Sequence, residues 1–368
     1  MKCVHITSVH SRFDIRIFQK QCISLYNSGY DVYLLVADDK SDEIKNGISI
    51  LSVKQNKSRL KRICIAPRLL FKKAIALDGV IYQIHDPELI PLGLKLKRRG
   101  KIVIFDSHED VEKQLISKPY IHPLFSHIIS MLYSLYEKYA ASKFDLIFTA
   151  TPYIRDKFKK YHNNVIDINN YSIIGELKSE TQKPKDRYVT YVGVVTEIRG
   201  IKEMVKALEL CTENVQLKIA GDFSPPSLRQ EVMQYVGWRN VDELGFIGRK
   251  EIQNLFSKTQ AGLVLYLPFP NHINAQPNKM FEYMSAGVPV IASNFPLWKV
   301  IVEGNNCGIC VDPTDPKAIA QAIDWIINNP KEAHSMGING LNAIKTSYNW
   351  QNEEKKLIEA YKSLTKKK

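Results

Sequence analysis

The chain has 368 residues, a length that suits two domains, and 45 % hydrophobic residues, enough to bury two ordinary cores. Its formal net charge is +13, and residues 1–180, with 28 basic and 19 acidic side chains, hold most of that excess. Lys2 to Thr7 runs straight into a strand-like pattern, so no signal peptide is expected, and no apolar run approaches the roughly 20 residues of a membrane-spanning helix. Cysteines at 3, 22, 64, 211, 307 and 310 are scattered, which fits reduced thiols and a cytoplasmic location. Cys307 and Cys310 form a CxxC, but a metal or redox site needs a second ligand pair or a helix starting between them. The pair sits instead in a strand-like run, CGICV.

In the front half the strand-like runs are Cys3–Thr7, Asp31–Val36, Val80–His85, Ile102–Asp106 and Leu146–Ala150. Amphipathic stretches such as Ile15–Ser28 and Ile121–Ala141 separate them, the alternation of βαβ units and a parallel sheet. Ligands of such sheets bind beyond the carboxyl ends of the strands. Two histidines stand there: His85 opens HDPE after VIYQI, and His108 lies in DSHED after IVIF. The loop after the first run, SVHSRFDIR, adds His10, Arg12, Asp14 and Arg16, which either face a ligand or cap the next helix. Asp86, Glu88, Asp106, Glu109 and Asp110 are candidate acids or bases. No DxD and no His/Cys ligand spacing demands a metal.

A polar break at Gly175–Arg187, GELKSETQKPKDR, reads as a linker. The alternation then restarts with runs at Tyr188–Val192, Gln216–Ala220, Val241–Phe246, Gly262–Tyr266, Val288–Ala292 and Gly308–Val311. Domains are therefore expected at 1–175 and 188–350. Residues 351–368 form a C-terminal helix and basic tail that is a candidate to cross back to the first domain.

Chemistry in the back half gathers at strand ends. After Gly262–Tyr266 comes the loop LPFPNHINAQPN and a helix starting near Pro277, Asn278 and Lys279. Proline suits a first helical turn, and a helix N-terminus with a lysine beside it favours a phosphate. Glu282, one turn further in, has the reach to accept hydrogen bonds from two vicinal ribose hydroxyls; the plain alternative is a surface glutamate. Gly193 in YVGVVTEIRG allows close approach of a ligand, and Arg199 can clamp a diphosphate. Gly221 and the segment GFIGRKE, with Arg249, are two further strand ends on the same edge. The GxGxxG fingerprint of dinucleotide binding is missing.

Together these residues resemble the retaining glycosyltransferases of family 4. The resemblance runs through nearly the whole chain, most strongly in PNKMFEYMSAGVPVIAS and GNNCGICVDPTDPKAIAQAI. It implies an α/β fold of GT-B type: two Rossmann-like doubly wound domains facing a central cleft. Of the family's two signature glutamates, separated by seven residues, Glu282 matches the ribose-binding second and Asn274 stands at the first. Of its phosphate-binding basic pair, Arg199 matches the second member, while Val194 replaces the first and Lys279 is the candidate substitute. His108 matches the front-domain histidine that contacts the donor sugar, and HDPE is similar to a bacterial polysaccharide-assembly subgroup.

The resemblance thus implies a catalytic set of His108, Asn274 and Arg199. Donor binding falls to Glu282, Lys279, Asn278, Pro277, Gly193, Gly221 and Arg249, and the acceptor side to His85, Asp86, Arg12 and Arg16. No cofactor and no metal is implied. The partners are a nucleotide-sugar donor, UDP favoured over GDP, and a glycan or lipid-linked acceptor in cell-surface polysaccharide biosynthesis. Basic clusters at Lys57–Lys73 and Lys95–Lys101 are candidates to rest on an anionic membrane surface, peripherally on its inner face; the alternative is a solvated surface. No motif supports nucleic acid. A GT-B-fold nucleotide-sugar 2-epimerase and a non-catalytic GT-B-like binding subunit stay open as alternatives.

Overall fold

Two doubly wound units account for the chain: Met1–Asn170 with Trp350–Lys368, and Tyr171–Asn349. The computed structural model describes residues 1–54, 59–116, 123–177 and 186–366. The first unit holds strands β1 (Lys2–Ile6), β2 (Asp31–Ala37), β3 (Glu43–Lys45), β4 (Ile48–Val53), β5 (Ile81–Ile84), β6 (Ile102–Ser107), β7 (Leu146–Thr149) and β8 (Val165–Asp167). They lie in the order β3-β4-β2-β1-β5-β6-β7-β8, and every neighbouring pair is parallel except β3–β4. The second unit holds β9 (Tyr188–Val192), β10 (Gln216–Ala220), β11 (Val241–Gly245), β12 (Gly262–Val264), β13 (Val290–Ser293) and β14 (Gly308–Val311). Their order is β11-β10-β9-β12-β13-β14, all parallel.

Strands β5, β6, β7, β9 and β13 are buried at every position. A parallel sheet needs this, because its crossover helices cover both faces. In the second unit one face packs Val192, Val264 and Val290 on Phe281 and Trp298, and the other packs Val189, Leu217 and Leu263 on Val205 and Ile323. In the first unit Val4, Tyr82 and Phe105 pack on Ala66, Leu70 and Phe158.

Topology marks where ligands belong. Winding reverses between β1 and β5 in the first unit and between β9 and β12 in the second. Helices on the two sides of such a switch point diverge and leave a crevice at the carboxyl ends.

The polar stretch expected at Gly175–Arg187 falls on residues 178–185, which lie outside the described residues, and on flanks that belong to the second unit. Leu177 is buried in that unit's core and Glu176 pairs with Arg249. The C-terminal helix Trp350–Lys366 belongs to the first unit. There the Trp350 indole donates to the Ser24 hydroxyl at 3.0 Å, and Glu353 accepts the backbone N–H of Asn169 at 2.8 Å.

Candidate active site

In the second unit the switch point brings two basic side chains, Lys279 and Arg199, to one gap. β9 ends at Gly193, whose φ of +116° lies in the region that favours glycine. A side chain there would stand 3.4 Å from the Lys279 Nζ and 3.9 Å from the Arg199 guanidinium, so the missing Cβ opens the space that both cations face. Lys279 is the second residue of the helix Asn278–Ser285, whose N-cap Pro277 offers no side-chain cap to the first backbone N–H groups. The amine is buried at 7 % exposure and, among the described residues, has no hydrogen-bond partner. It lies 3.6 Å from the centre of the Tyr191 ring and 5.4 Å from that of Tyr266. Burial pushes its pKa well below the usual lysine range, Arg199 pushes the same way, and Glu282 opposes them. Arg199 donates to the Val194 carbonyl at 2.9 Å and lies over Tyr266. Two cations, open N–H groups and a glycine gap describe a site for a multiply charged anion.

Glu282, expected to hold ribose, accepts from Arg249 at 2.7 Å, and Arg249 also donates to Glu176 at 2.6 Å. Arg249 therefore sets the Glu282 carboxylate rather than standing free as a donor-binding cation. Gly221 backs the pocket floor: a Cβ there would lie 2.1 Å from the Gly193 carbonyl oxygen. Asn274 is half-buried in the loop after β12, Pro277 is buried and Asn278 is exposed. Tyr191 and Tyr266 were not foreseen. Within YVTYV and GLVLY they read as strand residues, and only their position beneath an amine reveals the cation–π contact.

The first unit's switch point gathers a buried polar network. Asp106 is fully buried and paired with Arg16 at 2.6 Å and 3.3 Å. Burial alone would raise its pKa, but Arg16 and His108 hold it well below the usual carboxylate range. An ionised Asp106 only accepts, and this fixes the direction of a chain of hydrogen bonds. Gln21 must donate to Asp106 (2.8 Å), Gln83 to Gln21 (2.6 Å), and the Tyr361 hydroxyl to Gln83 (2.6 Å). His5 links this chain to His85: its Nε2 lies 3.3 Å from the Tyr361 hydroxyl and its Nδ1 3.0 Å from His85 Nε2. Asp106 being an acceptor only, His85 donates its Nδ1–H to it at 3.1 Å, and burial pushes the His85 pKa down. The same carboxylate accepts the Nε2–H of His108 at 3.1 Å, with His85 Nδ1 3.3 Å away from that nitrogen. The Nδ1 of His108, whose side chain is 15 % exposed, is left over from this network.

His10 sits beside this network, 3.3 Å from Asp86 and 3.6 Å from Asp14. Burial opposes its charge, but hydrogen bonds to Asp14 and Asp86 outweigh burial and raise its pKa to about 10. Asp86 also accepts from Thr7 and from the Ser8 N–H. Arg12 is spent elsewhere, clamped on Asp38 at 2.6 Å and 2.8 Å and on Glu43. Of the residues assigned to the acceptor side, His85 and Arg16 thus meet His108 at Asp106, Asp86 pairs with His10 beside them, and Arg12 lies apart. The ligand atoms of His85, Asp106 and His108 are close enough to hold a metal ion, yet the hydrogen bonds just described account for their spacing without one.

Residues 174–343, which span most of the second unit, match the model of the family "Glycosyl transferases group 1", and the two-unit fold is GT-B. The chain spans about half the length of the curated relatives it matches. It is 24 % identical over 216 residues to the uncharacterized glycosyltransferase MJ1607 of Methanocaldococcus jannaschii, covering 56 % of this chain and 54 % of that protein. It is 25 % identical over 173 residues to the capsular polysaccharide biosynthesis glycosyltransferase CapM of Staphylococcus aureus, covering 44 % and 42 %. Among solved structures, Anabaena HepE in complex with UDP-glucose superposes with a TM-score of 0.77 at 14 % identity, covering 99 % of this chain and all of that one.

Proposed function

We propose that the chain is a retaining glycosyltransferase of family 4 type that moves a sugar from a nucleotide-sugar to a glycan or lipid-linked acceptor in cell-surface polysaccharide biosynthesis. The observation that carries this is Lys279: a buried amine with no hydrogen-bond partner among the described residues, beside Arg199, facing the gap at Gly193. Such a centre is costly in the free protein and is compensated by a bound diphosphate. The similarity to CapM supports the polysaccharide setting, and the likeness to a UDP-glucose complex supports UDP over GDP.

In this reading the acceptor hydroxyl attacks the anomeric carbon on the face from which the diphosphate departs. The bond to the diphosphate oxygen breaks as the new glycosidic bond forms, and the acceptor proton passes to the departing oxygen. Arg199, Lys279 and the N–H groups opening the helix Asn278–Ser285 stabilise the charge that builds there. Glu282, oriented by Arg249, holds the ribose. His108 offers Nδ1 to a donor-sugar hydroxyl, and Asn274 supplies a neutral amide where the resembling family has a carboxylate. Asp86, Arg16 and His85 support the acceptor side. No step requires a metal or a cofactor, and the location is cytoplasmic, peripheral on an anionic membrane face.

The test is calorimetric titration with UDP and GDP. Glu282→Ala is expected to weaken nucleotide binding roughly 10- to 100-fold, the loss of charge-assisted hydrogen bonds. Unchanged affinity for both nucleotides would sink the site assignment. Incubation with nucleotide-sugars alone separates the alternatives: a 2-epimerase converts the donor without acceptor, and a binding subunit neither transfers nor hydrolyses it.

A further inference from the structure

The helix Pro123–Ala141 is amphipathic with its faces reversed. Ser126, Ser130 and Glu137 are turned inward at 1–2 % exposure. Their polar groups are answered inside: Ser130 donates to the Glu112 carbonyl, and Glu137 accepts from Tyr133 and pairs with Lys157. Outward, Phe125, Ile128, Leu132, Leu135 and Tyr139 follow the 3-4-3-4 spacing of a single stripe, at 60 %, 43 %, 58 %, 60 % and 56 % exposure. Isolated exposed apolar residues need no explanation; a continuous stripe along a 19-residue helix does.

Charge selects among its occupants. Glu137 is the helix's only acidic residue, so the exposed face has none. Lys138 is exposed on it, and Lys143, just past its end, lies over the Tyr139 ring. The helix Ile90–Lys97 packs beside it and carries exposed Lys95, with Arg98 and Arg99 exposed at its end. Nearby Asp145 and Asp78 are neutralised by Lys97 and Lys101. A second copy of the chain would set this basic margin against itself. An anionic bilayer suits both parts: the stripe enters the boundary between headgroups and acyl chains, tyrosines lie at the interface, and lysine and arginine reach lipid phosphates.

We infer that the helix Pro123–Ala141 is an in-plane anchor for an anionic lipid surface. It rests on the lipid-facing part of the proposed function for its purpose, while its evidence is the reversed helix. The experiment is cosedimentation of the full chain with vesicles, without nucleotide or acceptor. Binding is expected to phosphatidylcholine vesicles carrying about a third phosphatidylglycerol, and to be weaker by about tenfold or more on phosphatidylcholine alone. Changing both Leu132→Glu and Leu135→Glu should cut binding by about tenfold or more with an unchanged melting midpoint, since both side chains face solvent. A Leu132→Trp variant should show a blue-shifted emission on vesicles, which adsorption by basic residues alone does not produce. Three results overturn the inference: wild type left in the supernatant, the double variant binding as wild type does, or a wild-type dimer that the double variant splits. UDP titration of the same proteins without vesicles reads the donor site separately, so failure of one leaves the other standing or falling on its own.

Discussion

An unpaired amine buried to 7 % exposure costs free energy on the order of several kcal/mol if it keeps its charge, and a polar group without a partner if it does not. Replacing Lys279 by methionine keeps the volume and removes the cost. Lys279→Met should therefore raise the melting midpoint of the ligand-free chain by roughly 2 °C or more while UDP affinity falls at least about tenfold. A variant that melts lower and still binds UDP contradicts the role. The depressed pKa has a second consequence. A bound diphosphate favours the ammonium, so binding above the folded pKa takes up a proton, and the calorimetric enthalpy at alkaline pH should vary with the ionisation enthalpy of the buffer. Lys279 and Glu282 were legible in the sequence because a helix start fixes what lies in its first turns. The Arg249–Glu282 pair and the tyrosines under Lys279 were not, because their contacts join residues far apart in the chain. His108 was legible as a strand-end histidine. Its Nε2–H contact to Asp106 was not, because that carboxylate is held ionised by Arg16, 90 residues earlier in the chain.

At the scale of elements, both pockets depend on the turn that follows a strand. Gly193→Ala should keep the fold at a backbone cost of about 1 kcal/mol, yet weaken UDP binding, because the new methyl enters the gap facing Lys279 and Arg199. Gly221→Ala should cost more stability, about 2 kcal/mol or above, because its Cβ would meet the Gly193 carbonyl oxygen at 2.1 Å and force the turn to shift. Urea unfolding of the two variants, paired with UDP titration, checks the contrast. Most legible in the sequence were strands such as β7, β9 and β13, which are buried at every position, while β11 and β14, largely half-buried, were legible from the alternation of strands and helices. β3 and β8 are three-residue strands with little apolar content, and β4 alternates buried and half-buried positions beside a basic helix, so none of them made a run. The helix Arg59–Leu77 was masked by its own charge: the segment read as a basic cluster, and residues 57–58 of that cluster lie outside the described residues.

Across the whole molecule, titration of the first unit's network sets a stability optimum. Asp14 and Asp86 are lowered to about 2, and Asp106 lies below the usual range. Their contribution is present above the unfolded value of 3.8 and is lost as pH falls through the folded values. His10 works in the opposite sense. Its contribution is full below the unfolded value of 6.5 and is lost as pH rises through about 10. His5 and His85, whose pKa values burial lowers, contribute stability that is lost as pH falls below the unfolded value of 6.5, so denaturant unfolding should show greatest stability from this network near about pH 6.5, and His10→Gln should flatten the alkaline limb. Exhaustive chelation should leave sugar transfer unchanged under the proposed metal-free mechanism; loss of transfer that added metal restores would reassign the His85, Asp106 and His108 group. The central claim is that the turn at Gly193, with Arg199 and Lys279, binds a nucleoside diphosphate. It is tested most directly by titrating UDP into the wild-type chain and the Lys279→Met variant side by side. The account predicts saturable binding at one site in the wild type and at least about tenfold weaker binding in the variant. Equal binding by both, or no binding of UDP or GDP to the wild type, would contradict it.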